Sequence, residues 1–146
     1  MTRSSAAQRT TNILSSIVTT VVILVLLNEA AQYSIAWSRI VLASRDSRDA
    51  VSLAVQKAPA DRDAASRAAQ AAAAGHHVVL VTYGHEMQNA TLGPRVDASM
   101  QFATPARWAM ISGIAEAIRL DGPPSTWRSH TPTITYTYDA QFSTYQ

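Results

Sequence analysis

Between Arg9 and Glu29 the chain carries no charged residue, and from Ile13 to Leu27 it is built mostly of Ile, Val and Leu. A helix needs roughly 20 residues to cross a bilayer core of ~30 Å, so residues 10–28 have the length and chemistry of a transmembrane helix. The core helix of a soluble domain keeps one polar face. Here Ile13, Leu14, Ile17, Val18 and the run from Val21 to Leu27 leave only Ser and Thr around the circumference. Ser15, Ser16, Thr19 and Thr20 bond back to carbonyls of the preceding turn and so cost little in lipid.

A cleaved secretory signal is the rival reading, since Arg3 and Arg9 precede the apolar run. Small residues are wanted before the cut, yet cleavage after Ala30 or Ala31 puts Asn28 or Glu29 three residues back. An uncleaved anchor is therefore expected. Arg3 and Arg9 lie before the span and Glu29 is the first charge after it, which predicts a cytoplasmic N-terminus of residues 1–9 and an extracytoplasmic remainder.

No Gly or Pro interrupts the sequence before Pro59, and Pro59 disfavours helix at Ala58, so the helix is predicted to continue through residues 29–58 and stop near Lys57. Along that extension Trp37, Ile40, Val41, Ser44, Ser47, Val51 and Val55 recur every three or four residues as one apolar or small face. Ser38, Arg39, Arg45, Asp46, Asp49, Ser52 and Gln56 take the other, with Arg45 and Asp49 spaced for an ion pair.

Residues 59–146 read as a small α+β head. Asp61 caps an Ala-rich helix that reaches Ala74, and Gly75 suits the left-handed position after it. Residues 77–83 are a short Val-rich run expected as a central strand. Residues 95–103 alternate Val96, Ala98, Met100 and Phe102 against Asp97, Ser99 and Gln101. Residues 133–143 set Ile134, Tyr136, Tyr138, Ala140 and Phe142 against Thr133, Thr135, Thr137, Asp139 and Gln141. Two strands with one wet face each imply an antiparallel sheet covered on one side, with the amphipathic half of the long helix as the nearest cover. Between them Thr104-Pro105 is expected to start a helix marked by Trp108, Ile111, Ala115 and Ile118 and ended by Asp121-Gly122-Pro123-Pro124. The expected architecture is α+β: a long N-terminal transmembrane helix running into a small antiparallel-sheet head.

Composition narrows the chemistry. With 146 residues the chain holds one domain and an anchor but not two cored domains. Its 12 Lys and Arg are scattered and face 10 acids, so no nucleic-acid partner is expected. With no cysteine it has neither disulfides nor thiolate catalysis. His76, His77, His85 and Glu86 are the densest set of potential ligands, but they do not have the spacing of a metal site. The five Gly are isolated, those after Gly75 being expected singly at turns or within a helix, so no phosphate loop is present. Asp97, Glu116, Asp121 and Asp139 lie beside no His, which nominates no acid–base pair. Asn89-Ala90-Thr91 has the form of a glycosylation acceptor to which no function attaches. The expectation is a protein without enzymatic activity, metal or cofactor.

Glu29 stands where the apolar run ends. A carboxylate there either reaches the headgroup layer or meets a positive group of a neighbouring subunit. The run Leu27-Asn28-Glu29-Ala30-Ala31, then Tyr33, Ala36-Trp37 and Ala43-Ser44-Arg45-Asp46-Ser47, resembles the N-terminal region of TadE-like proteins, minor pilin-like components of tight-adherence pilus systems. The later order is similar too: an Ala-rich helix, a Val-rich strand, an alternating strand ending in Phe102-x-x-Pro105 and a final Thr-rich strand.

The resemblance implies a membrane-anchored pilin-like subunit with Glu29, Trp37, Arg45 and Asp46 as assembly contacts. It also implies other pilin-like membrane subunits and pilus assembly proteins as partners, and possible self-association. Pilin precursors carry an acid five residues into the mature chain, whereas positions 9–12 here are Arg-Thr-Thr-Asn. A membrane-resident assembly or priming factor therefore fits better than a processed fibre subunit. The alternative is a single-pass anchored exterior binding or sensory module whose site would be lined by Trp108, Trp127, Tyr136, Tyr138 and Tyr145.

Overall fold

The computed structural model of the chain describes residues 3–106 and 133–143. It contains helices α1 (Arg3–Lys57) and α2 (Arg62–Gly75) and strands β1 (Val79–Ala90), β2 (Gly93–Pro105) and β3 (Thr133–Ser143), in that order. The fold is α+β, a long N-terminal apolar helix followed by a small antiparallel sheet of order β1-β2-β3, consistent with a pilin-like fold. The described residues fall into two compact units, residues 3–33 and residues 34–106 with 133–143.

In the first unit α1 is the one described helix long and apolar enough to cross a membrane. Its threonine hydroxyls are satisfied within the helix, Thr19 Oγ1 donating to the Ser15 carbonyl at 2.8 Å and Thr20 Oγ1 to that of Ser16 at 2.9 Å, whereas no such bond forms from the Ser15 or Ser16 hydroxyl among the described residues. Its large side chains remain in the open, Ile13 and Leu27 both 62% exposed.

In the second unit α1 ends at Lys57, as Pro59 requires, and Asp61 Oδ1 accepts the Ala64 N–H at 2.9 Å to cap α2. The buried face of α1 here is Ala36, Ile40, Ala43, Ser44, Ser47, Val51 and Val55. It shares one core with Ala65, Ala69 and Ala73 of α2 and with Val96, Ala98, Met100, Phe102, Ala140 and Phe142 of the sheet. The alternation expected of β2 and β3 holds: Val96, Ala98, Met100, Phe102 and Thr104 are buried, and β3 alternates exposed and covered residues throughout.

Several expectations are corrected. Among the described residues the Val-rich run opens an edge strand, not a central one, because it pairs there with β2 alone. Strand β1 also continues past Tyr83 to Ala90. The continuation is mostly polar because Glu86 to Ala90 are exposed on both faces, and its length is set by pairing with β2, from Val79 opposite Ala103 to Ala90 opposite Gly93. The turn is Thr91-Leu92, and Gly93 takes φ 126, a value that L side chains rarely adopt. Gly84 lies in mid-strand opposite Ser99, not at a turn.

The left-handed residue after α2 is His77, with φ 58, while Gly75 is the last residue of the helix. The Val78 N–H bonds the Ala73 carbonyl at 3.1 Å and the His77 N–H bonds that of Ala74 at 3.0 Å, the paired bonds of a Schellman ending. Buried Val78 follows His77 into the core, which fixes where the chain must turn. Thr104 and Pro105 belong to β2 and do not start a helix, since buried Thr104 continues the alternation. The helix expected around Trp108, Ile111, Ala115 and Ile118, with its end at Asp121-Gly122-Pro123-Pro124, lies outside the described residues.

Candidate functional site

The residues singled out for assembly all stand on α1, and the structure gives each a distinct setting. Glu29 is half-buried, two residues beyond Leu27, the last of the apolar run. Trp37 is half-exposed and its indole meets the Tyr136 ring edge-on, centroids 5.4 Å apart and planes at 83°. Tyr138 follows Tyr136 along β3 at 6.4 Å. Both tyrosines are partly buried and pack against the core. Trp108, Trp127 and Tyr145 lie outside the described residues.

Arg45 and Asp49 are exposed, and the ion pair their spacing allows is not formed among the described residues. Asp46 turns to α2, where its Oδ2 lies 2.6 Å from His76 Nε2 at the helix C-cap. The bond ties the middle of α1 to the end of α2. Nothing in the sequence pattern pointed to it, because the two residues are thirty positions apart.

The histidines do not converge. Among the described residues no group of three His, Asp or Glu side chains is placed to hold a metal ion. His76 is committed to Asp46, and His77 is exposed. His85 Nε2 lies 2.9 Å from the Pro59 carbonyl oxygen, an acceptor, so this nitrogen carries the proton. In the neutral ring Nδ1 then accepts from the Tyr83 hydroxyl, 3.1 Å away. Burial pushes the Tyr83 phenol up to about 12, against the opposing charge of Arg62. Arg62 Nη2 donates to the Tyr83 carbonyl at 3.1 Å. Strand β1 is thus held to Pro59 in the α1–α2 connection and to Arg62 at the start of α2.

The outer face of the sheet is polar. Glu86 stands opposite Asp97, and Ser99 opposite Asp139. Asp97 is engaged by Arg95 Nε at 3.1 Å and by Gln88 Nε2 at 2.9 Å. A depression of about 630 Å³ lies beside Gly84, walled by Glu86, Asp97, Ser99, Asp139 and Gln141, and the Ser99 hydroxyl occupies the space that a side chain at Gly84 would take. These groups bind by hydrogen bonding and charge. His85 and Arg62 also line it, and among the described residues Ser99 makes no hydrogen bond to either.

Comparison of the chain with family profiles, with curated proteins and with solved structures finds no match.

Proposed function

We propose that the protein is a membrane-anchored, pilin-like component that helps assemble or prime a tight-adherence type pilus through helix–helix packing, and that it is not an enzyme. The observation that carries this reading is the split character of one unbroken helix. Residues 13–27 of α1 keep their large apolar side chains exposed, except half-buried Val25, whereas residues 36–55 of the same helix bury Ile40, Val51 and Val55. Apolar surface left bare along a whole helix is accounted for by lipid or by other apolar helices.

In this reading Arg3 and Arg9 keep the N-terminus cytoplasmic and the sheet-bearing unit follows outside. The apolar helix packs laterally on similar helices, and Glu29 sets their register by meeting a positive group. The partners are pilin-like membrane subunits and pilus assembly proteins.

Mild-detergent extraction, intact mass and identification of co-purifying proteins test the proposal. A membrane-bound chain bringing down small single-pass proteins supports it, with complex and surface pili both lost in Glu29→Gln. It fails if Glu29→Gln leaves complex formation and pilus display unchanged.

One observation favours a second reading, a single-pass anchored exterior binding or sensory module. The depression beside Gly84 presents hydrogen-bonding groups outward from the sheet. A chain extracted alone, without membrane partners, supports that reading instead.

A further inference from the structure

The side of α1 that is buried at Ala36 and Ile40 stays covered further toward the N-terminus, where Val25, Asn28, Glu29, Gln32 and Tyr33 are all half-buried. At ~3.6 residues per turn these five fall within about 140° of arc. Every other residue from Leu24 to Ser34 is exposed. Leu24, Leu26 and Leu27, the neighbours of Val25, are 60%, 54% and 62% exposed. An isolated helix is exposed evenly around its circumference, so another part of the protein lies along this side and reaches Val25 inside the apolar run. The burial arises within one chain, and a second copy does not account for it.

No other described element belongs to the unit that holds these residues. Beyond the described residues the chain has one stretch of more than a few positions, 107–132. It departs after Pro105 and Ala106 and re-enters β3 at Thr133, which pairs with Pro105, and Tyr136 three residues on meets Trp37 of α1. From Trp37 back to Val25 is about 18 Å of helix, and a stretch of this length reaches ~90 Å at full extension. Its chemistry matches as well: Trp108, Ile111 and Ile118 suit Val25 and Tyr33, and Arg107, Arg119 and Arg128 suit Glu29, the first acid of the chain. Neither Asn28 nor Glu29 is without a partner. A carboxylate at the edge of an apolar run costs least when it is turned toward protein.

We propose that residues 107–132 dock along this side of α1, against Val25, Asn28, Gln32 and Tyr33, with one of their arginines at Glu29. The docking itself does not depend on the anchor. Its bearing on assembly rests on the pilus reading above: the positive group that Glu29 meets is in its own chain, neighbouring helices meet α1 on the side of Leu27 and Ala31, and their register is set through the docked segment.

The chain contains no cysteine, so introduced thiols report proximity without background. In the full chain, in native membranes under a mild oxidant, Gln32→Cys is combined in turn with Trp108→Cys, Ile111→Cys, Ala115→Cys and Ile118→Cys. At least one pair is expected to close within a single chain, at the monomer mass less two hydrogens. Ala31→Cys, on the exposed side, should close several-fold less with the same partner. Glu29→Arg should cut the closure several-fold, and one of Arg107→Glu, Arg119→Glu or Arg128→Glu should restore it.

The proposal is overturned by no closure at any of the four positions, by equal closure from Ala31→Cys, by a disulfide-linked species of twice the chain mass in place of the closed monomer, or by closure that Glu29→Arg leaves undiminished. Fractionation of the same cells reads the anchor separately. A closed chain in the soluble fraction supports the docking and defeats the anchor. A membrane-bound chain that does not close defeats the docking alone.

Discussion

The hydroxyl of Ser47 on α1 donates a 3.0 Å hydrogen bond to the carbonyl oxygen of Ala69 on α2, and both residues have no exposed surface. A contact this close requires small side chains on both helices. Ala43 and Ser47 meet that requirement on one side, and Ala65, Ala69 and Ala73 on the other. The Ala-rich composition of α2 is therefore the means by which two helices approach and share one sheet.

Ser47→Ala keeps the volume and removes the bond, and is expected to cost about 1 kcal/mol. Ser47→Leu forces the helices apart and is expected to cost about 3 kcal/mol or more, at the upper end of what overpacking does. Urea unfolding of the detergent-solubilised chain, followed by circular dichroism, measures both. Equal midpoints for the two variants would show that the contact is not close.

Tyr83 predicts behaviour in alkali. Its phenol is raised from 10.0 to about 12, so the folded chain favours the protonated form more than the unfolded chain does. The contribution is complete below pH 10 and is lost as pH rises through about 12. Unfolding midpoints should fall across that window, and Tyr83→Phe should fall less steeply there, although lower at neutral pH for want of the hydroxyl that His85 accepts. A Tyr83→Phe variant with the same alkaline slope would remove the tyrosine from the explanation.

What the sequence revealed and concealed follows from which forces act locally. Strand β3 could be read residue by residue because its alternation reports one buried face, and α1 could be bounded because Pro59 acts on its neighbour alone. The second half of β1 could not. Glu86, Gln88 and Asn89 have little strand preference and are extended because β2 lies alongside them. The left-handed residue was misplaced by two positions, at Gly75 in place of His77, because burial of Val78 outweighs the preference for glycine. Of the four residues marked for assembly, Glu29 and Arg45 could be placed on their helix by spacing. The commitment of Asp46 to His76 and of Trp37 to Tyr136 depends on tertiary neighbours that no local pattern names.

That misplacement gives a paired prediction. His77 holds φ 58 with a side chain that resists it, so His77→Gly is expected to stabilise the fold by about 1 kcal/mol. Gly75 is the last helical residue of α2, with nothing within 4 Å of where a Cβ would stand. Gly75→Ala is accordingly expected to gain about 0.5–1 kcal/mol. Thermal melts of the two variants check both signs, and a destabilising Gly75→Ala would restore glycine as the left-handed residue.

Asp46 and Glu29 are separable by their surroundings. The Asp46 carboxylate is engaged within the chain by His76, at an exposed site where such pairs contribute at most about 1 kcal/mol. Asp46→Asn retains an oxygen that can accept from His76 Nε2, so it is expected to leave the melting temperature nearly unchanged. Because that carboxylate is turned toward α2, the variant is also expected to retain whatever membrane partners the native chain brings down. Glu29 belongs to the other unit, at the end of the apolar run, and Glu29→Gln is expected to lose those partners with the head's melting unchanged. Co-purification read beside the melting curve decides each case. Loss of partners in Asp46→Asn with an intact fold would make Asp46 an assembly contact after all, reached by a partner that displaces His76.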